Sequence, residues 1–180
     1  YERLKNSFKN LSTSSKTKLP EPKGDVACEA LLFYSGQIKI IKGISFKASA
    51  GEVIGIVGKS GSGKTTLARL LSGIFEPTSG KILLDSSPLN LWDESQVGNY
   101  MGYLPQDVEL FHASIKENIS RFTQSAKDED VVAAAMKAGV HELIMSFPQG
   151  YETMVGMTNI SAGQKQRIAL ARAFYGNPKI

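Results

Sequence analysis

The chain of 180 residues is long enough to bury a core of its own, and its 42% hydrophobic and 21% charged residues make up a folded chain rather than a disordered one. Its longest apolar stretches, such as Val53-Ile54-Gly55-Ile56-Val57, are strand-sized, which excludes a transmembrane helix of ~20 apolar residues or a signal-peptide h-region. The single cysteine, Cys28, excludes an internal disulfide framework, and the net charge of +4 lies wholly in residues 1–24, where six basic side chains face two acidic ones.

Tyr1, Leu4, Phe8 and Leu11 recur at helical spacing and predict a short amphipathic helix over 1–11. Residues 12–23, rich in Ser, Thr and Lys and holding Pro20 and Pro22, read as a linker. Its charge suits either a solvated connector or a segment beside an anionic membrane face. From Asp25 onward 15 basic and 15 acidic residues cancel, so no nucleic-acid partner is expected. Residues 26–33 and 38–48 alternate loosely, carry β-branched and aromatic side chains, and predict an antiparallel pair of strands. Glu52–Val57 is a continuous apolar run, as expected of a buried parallel strand. A glycine-rich loop follows, then a helix through Leu67, Leu70 and Leu71 that Gly73 can close. Pro77-Thr78-Ser79-Gly80 reads as a turn, Lys81–Asp85 as a strand, and 100–104 as another strand ended by Pro105. Helical patterns then dominate, over Ser114–Phe122, Asp128–Gly139 and Gly163–Tyr175; Asn177-Pro178 breaks the last, and Lys179-Ile180 resembles the start of a strand. The fold class is therefore α/β, with a core over 25–105 and 177–180 that combines a parallel sheet with an N-terminal antiparallel β-subdomain, and a helical subdomain inserted at about 106–176.

Gly58-Lys59-Ser60-Gly61-Ser62-Gly63-Lys64-Thr65 matches Gly-x4-Gly-Lys-Ser/Thr, between an apolar run and a helix. Glycines allow positive φ, so successive backbone N–H groups can curl around an anion. The helix starting near Lys64 offers its unpaired N–H groups and the positive end of its dipole to the same anion. Lys64 adds a cation for β- and γ-phosphates, Thr65 a hydroxyl of the kind Mg²⁺ takes, and Thr66 a donor toward the α-phosphate. Such a loop binds phosphate and leaves small-molecule kinases, GTPases, helicases and transport ATPases open. A second feature lies about a hundred residues on. Ser161 and Gln164 are spaced as a capping box at the head of the last helix, with Ala162 and Gly163 leaving the helix start accessible. Locally it reads as a plain helix cap or as a second phosphate site.

At this point the chain resembles the ATP-binding cassette (ABC) family of P-loop NTPases. Ile160-Ser161-Ala162-Gly163-Gln164-Lys165-Gln166-Arg167 resembles the family signature Leu-Ser-Gly-Gly-Gln, with Ile160 and Ala162 as departures, and Tyr103-Leu104-Pro105-Gln106 resembles the Q-loop. The resemblance implies that ATP and Mg²⁺ bind at Gly58, Ser60, Gly61, Ser62, Gly63, Lys64, Thr65 and Thr66, with Tyr34, or Phe33 if the register differs by one, on the adenine. It also implies that two cassettes pair head to tail, so that Ser161, Ala162, Gly163 and Gln164 act in trans on the partner's nucleotide. Gln106 would assist Mg²⁺ and water placement, making Thr65 and Gln106 the metal-side residues and Gln106 the one catalytic candidate. A narrower likeness, carried by Tyr1-Glu2-Arg3-Leu4, the Pro-containing linker, Gly102–Phe111 and Glu117-Asn118-Ile119, points to type I secretion exporters of proteases and lipases. By that likeness residues 1–24 follow a membrane-spanning domain, 25–180 form the cassette on the cytoplasmic face of a bacterial inner membrane, and ATP drives protein export. A drug, lipid or peptide exporter is the alternative.

Two departures bear on this. Only Met157, Thr158 and Asn159 separate Gly156 from Ile160, where the exporters carry a longer Gly/Glu-rich stretch that contacts the membrane domain. The family's Walker B Asp and catalytic Glu are expected just after Ile180, so the cassette reads as incomplete and these 180 residues as binding ATP without hydrolysing it. His112 and His141 fall too early to serve as the family's switch histidine.

Overall fold

The structure is a computed structural model that describes residues 18–180, so the helix expected over 1–11 and the first part of the linker lie outside the described residues. The chain divides into two compact units, the first ending at Val97 and the second running from Gly98 to Ile180. None of the helices among the described residues is long and apolar enough to cross a membrane.

In the first unit β1 (Val26–Ser35) and β2 (Ile38–Ala48) form the expected antiparallel pair, and β3 (Ser79–Leu84) and β4 (Ser87–Pro88) complete a sheet of order β2-β1-β3-β4. Alternation buries Ile82 and Leu84 of β3, and Ile41 of β2 is buried with them, while in β1 Cys28 and Leu31, three residues apart, are both buried because the strand shifts register between them, where Ala30 takes a φ of 45. The helix α1 (Lys64–Leu71) buries Leu67 and Leu70 and packs on β2. Gly73, at φ 73, takes the left-handed position that closes α1, as its sequence suggests. Burial pushes the Cys28 thiol up to about 11, which fits core packing and not nucleophilic chemistry.

The end of the Pro-containing segment is tied to this unit by two side chains. Asp85 and Ser86, at φ 47 and 67, make the two-residue turn between β3 and β4. The Asp85 carboxylate accepts N–H bonds from Lys23, from Gly24 at 3.1 Å and from Asp25 at 2.9 Å. Partial burial raises its pKa, but these three donors and the Lys23 charge lower it further, and the net shift is downward. Gln96, buried on α2 (Glu94–Tyr100), accepts the Leu19 N–H at 3.0 Å and donates to the Leu19 carbonyl at 2.8 Å.

The expected buried strand over Glu52–Val57 does not form: these residues carry no strand pairing, and Val53 and Val57 are 95% and 93% exposed. A parallel strand is buried only when neighbouring strands and both covering layers are present. Among the described residues no strand pairs with this run.

In the second unit the three expected helices appear, two of them shortened, as α3 (Ile115–Ile119) and α4 (Asp128–Lys137), and the third at its expected length but one residue earlier, as α6 (Ala162–Phe174). The sequence did not mark α2 or α5 (His141–Met145), which are too short for a clear period. Ile168 and Ala171 of α6 pack among Ile115 and Ile119 of α3, Val131, Ala134 and Ala135 of α4, and Ile144 of α5. The strand expected over 100–104 is reduced to a single parallel pairing. The Ile180 N–H donates to the Tyr100 carbonyl at 3.2 Å, and the Gly102 N–H donates to the Ile180 carbonyl at 2.7 Å.

One buried polar side chain fixes the loop before α3. Asn118 is fully buried, accepts the Phe111 N–H at 2.8 Å, and donates to the Phe111 and Ser114 carbonyls, each at 3.0 Å. Asn118→Ala strands the Phe111 amide group and is expected to cost about 3 kcal/mol, read as a lower urea midpoint at unchanged slope. An unchanged midpoint would mean that other contacts hold the loop.

Candidate functional site

The glycine-rich loop is shaped by its own backbone and by β2. Gly61 and Gly63 hold φ of 76 and 92, left-handed values that an L side chain resists. A Cβ on Gly63 would lie 3.0 Å from Ile41 Cδ1 and 3.2 Å from Ile40 Cγ2, so β2 closes against this turn. Gly63 is also the N-cap of α1, and no side chain caps the helix there. The first-turn N–H groups of Lys64, Thr65 and Thr66 are therefore left for an external acceptor. Gly58, Ser60, Gly61 and Ser62 are exposed, Lys64 and Thr66 half-buried, and Thr65 exposed. The Lys64 ammonium folds back across the loop and donates to the Gly58 and Lys59 carbonyls, both at 2.8 Å. Sequence reasoning placed this lysine at the phosphates but did not foresee that it closes the loop through those two carbonyls.

The two aromatic candidates separate clearly. Phe33 stacks on Phe75 with ring centroids 5.4 Å apart and planes 4° from parallel, and the Arg69 guanidinium lies 5.6 Å from the Phe75 centroid. Tyr34, at the end of β1, keeps an exposed ring with the Lys39 ammonium 5.8 Å from its centroid.

In the second unit Ser161 caps α6 as its spacing suggested. Its hydroxyl accepts the Gln164 N–H at 3.3 Å, and the Gln164 side chain accepts the Ser161 N–H at 2.8 Å. Ser161, Ala162 and Gly163 are exposed, and a Cβ on Gly163 would meet no atom within 4 Å, so the helix start is open on that side. Gln106 is exposed on a bend just after Pro105. His141 is half-buried and shares a 2.8 Å hydrogen bond with the Tyr151 hydroxyl, while His112 is exposed against Gly156. Among the described residues no cluster of His, Cys, Asp and Glu could hold a metal by itself.

Residues 41–180 match the family model described as "ABC transporter". The chain is 42% identical to the type I secretion system ATP-binding protein PrsD of Rhizobium meliloti, over 99% of this chain and 31% of that protein. It is 41% identical to the leukotoxin translocation ATP-binding protein LktB of Mannheimia glucosida, over 92% of this chain and 24% of that one. It is also 42% identical to the ATP-dependent lipid A-core flippase of Acinetobacter baylyi, over 91% of this chain and 29% of that protein. A solved bacterial Atm1-family ABC exporter with ATP bound superposes with a TM-score of 0.83 at 34% identity, covering 98% of this chain and 33% of that one. The chain therefore spans about a third or less of the length of each.

Gly63→Ala is expected to lower stability by about 1–2 kcal/mol through the left-handed φ and the crowding on β2. Gly98→Ala, helical and with open space, is expected to be neutral or mildly stabilising. Equal midpoints for the two variants in urea denaturation would contradict the part assigned to Gly63.

Proposed function

This chain belongs to the ABC transporter family, and we propose that it binds Mg-ATP at Gly58–Thr66 as the motor domain of an exporter that moves a protein across a bacterial inner membrane. The observation that carries the reading is the Lys64 ammonium held by loop carbonyls above a helix start that no side chain caps. Phosphate oxygens can take the place of the Gly58 and Lys59 carbonyls without costing the ammonium its hydrogen bonds. The Gly61–Thr66 amides then surround the β-phosphate, Thr66 serves the α-phosphate, and Thr65 gives Mg²⁺ one hydroxyl ligand. The exposed Tyr34 ring, with Phe33 already stacked on Phe75, is the better platform for adenine. Gln106 orients water and Mg²⁺, and Ser161, Ala162, Gly163 and Gln164 of a second copy meet the γ-phosphate head to tail.

In this reading residues 1–24 connect to a membrane-spanning domain, 25–105 and 177–180 form the nucleotide core, and about 106–176 the helical subdomain at the cytoplasmic face of the membrane. Protein export is favoured because the likeness to the type I secretion protein runs over 99% of the chain. Lipid export is the second reading, supported by the flippase likeness over 91%.

The polypeptide 1–180 is proposed to bind ATP without turning it over, since no Asp or Glu follows Glu152 to orient water beyond the signature. Lys64→Ala removes a charge-assisted contact and is expected to weaken ATP binding by roughly tenfold or more in calorimetry, in a protein that stays folded. Phosphate release by 1–180 is expected to stay at background. An unchanged Kd in folded Lys64→Ala would refute the phosphate site, and Lys64-dependent release would refute the proposed lack of turnover.

A further inference from the structure

Two arginines of the second unit, Arg121 and Arg172, are half-buried, and among the described residues no carboxylate lies within ion-pair distance of either. Burial lowers both guanidinium pKa values, and each arginine lowers this cost through carbonyl oxygens instead of carboxylates. Arg121 donates from Nε to the Arg172 carbonyl at 3.1 Å and from Nη2 to the Ala173 and Tyr175 carbonyls at 3.3 and 3.4 Å, while Nη1 reaches the Gly98 carbonyl. Arg172 and Ala173 lie in the last turn of α6, where carbonyls lack intrahelical partners and form the negative end of the helix dipole. Tyr175 leaves the helix extended, at φ −61 and ψ 135, and Gly176, at φ 79, turns the chain so that the Asn177 N–H donates to the Phe174 carbonyl at 3.1 Å. The guanidinium fork caps the carbonyls that this turn leaves, those of Arg172, Ala173 and Tyr175. It reaches there because Arg121 and Phe122, just beyond α3, both take left-handed φ, 54 and 58.

Arg172 extends the same knot. It donates to the Glu109 carbonyl at 3.1 Å and lies 6.0 Å from the centroid of Phe111, whose ring meets Phe122 edge-on at 5.4 Å. Glu109 and Phe111 follow closely on Gln106. The other end of α6 is Ser161–Gln164, one rigid helix of 13 residues away.

We propose that Arg121 is a positioning residue for the signature: by clamping the end of α6 it sets where Ser161, Ala162 and Gly163 present their N–H groups, and through Arg172 it holds that helix to the segment following Gln106. The proposal rests on the reading that Ser161–Gln164 meets a partner's nucleotide. Lysine at 121 keeps a cation at the helix end but loses the fork that serves three carbonyls at once.

The test uses the full-length membrane protein, with turnover counted per folded molecule. R121K is expected to lower kcat about tenfold while leaving the Kd for ATP unchanged, because the P-loop does not draw on α6. S161A is expected to lower kcat as well, and the double variant S161A/R121K is expected to be little worse than the more impaired single one, as for residues acting through one contact. Additive losses, wild-type kcat in R121K beside an impaired S161A, or an R121K protein that does not fold would each overturn the proposal. Wild-type turnover in S161A would instead refute the reading of the signature, and the proposal with it.

Discussion

Each helix begins with N–H groups and ends with carbonyls that the helix itself cannot pair, and the way this chain meets those groups organises both of its units. The helix α1 leaves its start open: Gly63 takes a left-handed φ of 92, no side chain caps it, and the Lys64 ammonium is held beside it by two carbonyls. The helices α3 and α6 are closed instead by reciprocal boxes, Ser114 with Glu117 and Ser161 with Gln164. The far end of α6 is also gripped by a guanidinium from another element, that of Arg121. An open start suits an anion that comes and goes. A helix held at both ends suits a surface that must arrive in a fixed pose.

What could be read from the sequence was what short-range chemistry decides. The glycine-rich loop, the Ser161–Gln164 box, the β1–β2 pair and the closure of α1 by Gly73 each depend on residues a few positions apart, and each stands where its pattern put it. The run Glu52–Val57 has the composition of a buried strand, but a strand also needs neighbours, and composition does not supply them. The Gln96 clamp on Leu19 and the Asp85 clamp on residues 23–25 join positions 77 and about 60 residues apart, a separation that no local pattern announces. Asn118 and Arg121 were equally silent. Asn118 stood within the motif Glu117-Asn118-Ile119 that suggested the secretion exporters, yet its task of holding Phe111 appears only in three dimensions.

The basic charge of the chain and its chemistry lie in different places. The net charge of +4 belongs to residues 1–24, whereas the candidate phosphate site depends on one lysine and a set of oriented backbone donors. Salt-dependent attraction to an anionic surface and nucleotide affinity are thus separable properties. The lone thiol takes no part in either, being buried and held in its protonated form.

A nucleotide's phosphates are proposed to sit on the open start of α1. The most direct measurement is an amide NMR titration of the chain with Mg-ATP, with backbone resonances assigned. The largest shifts are expected at the amides of 60–66, with a response in the Tyr34 ring and little change at 161–164 while the chain is monomeric. Shifts centred on 161–164 or on the second unit, with the amides of 60–66 unmoved, would contradict that placement of the phosphates.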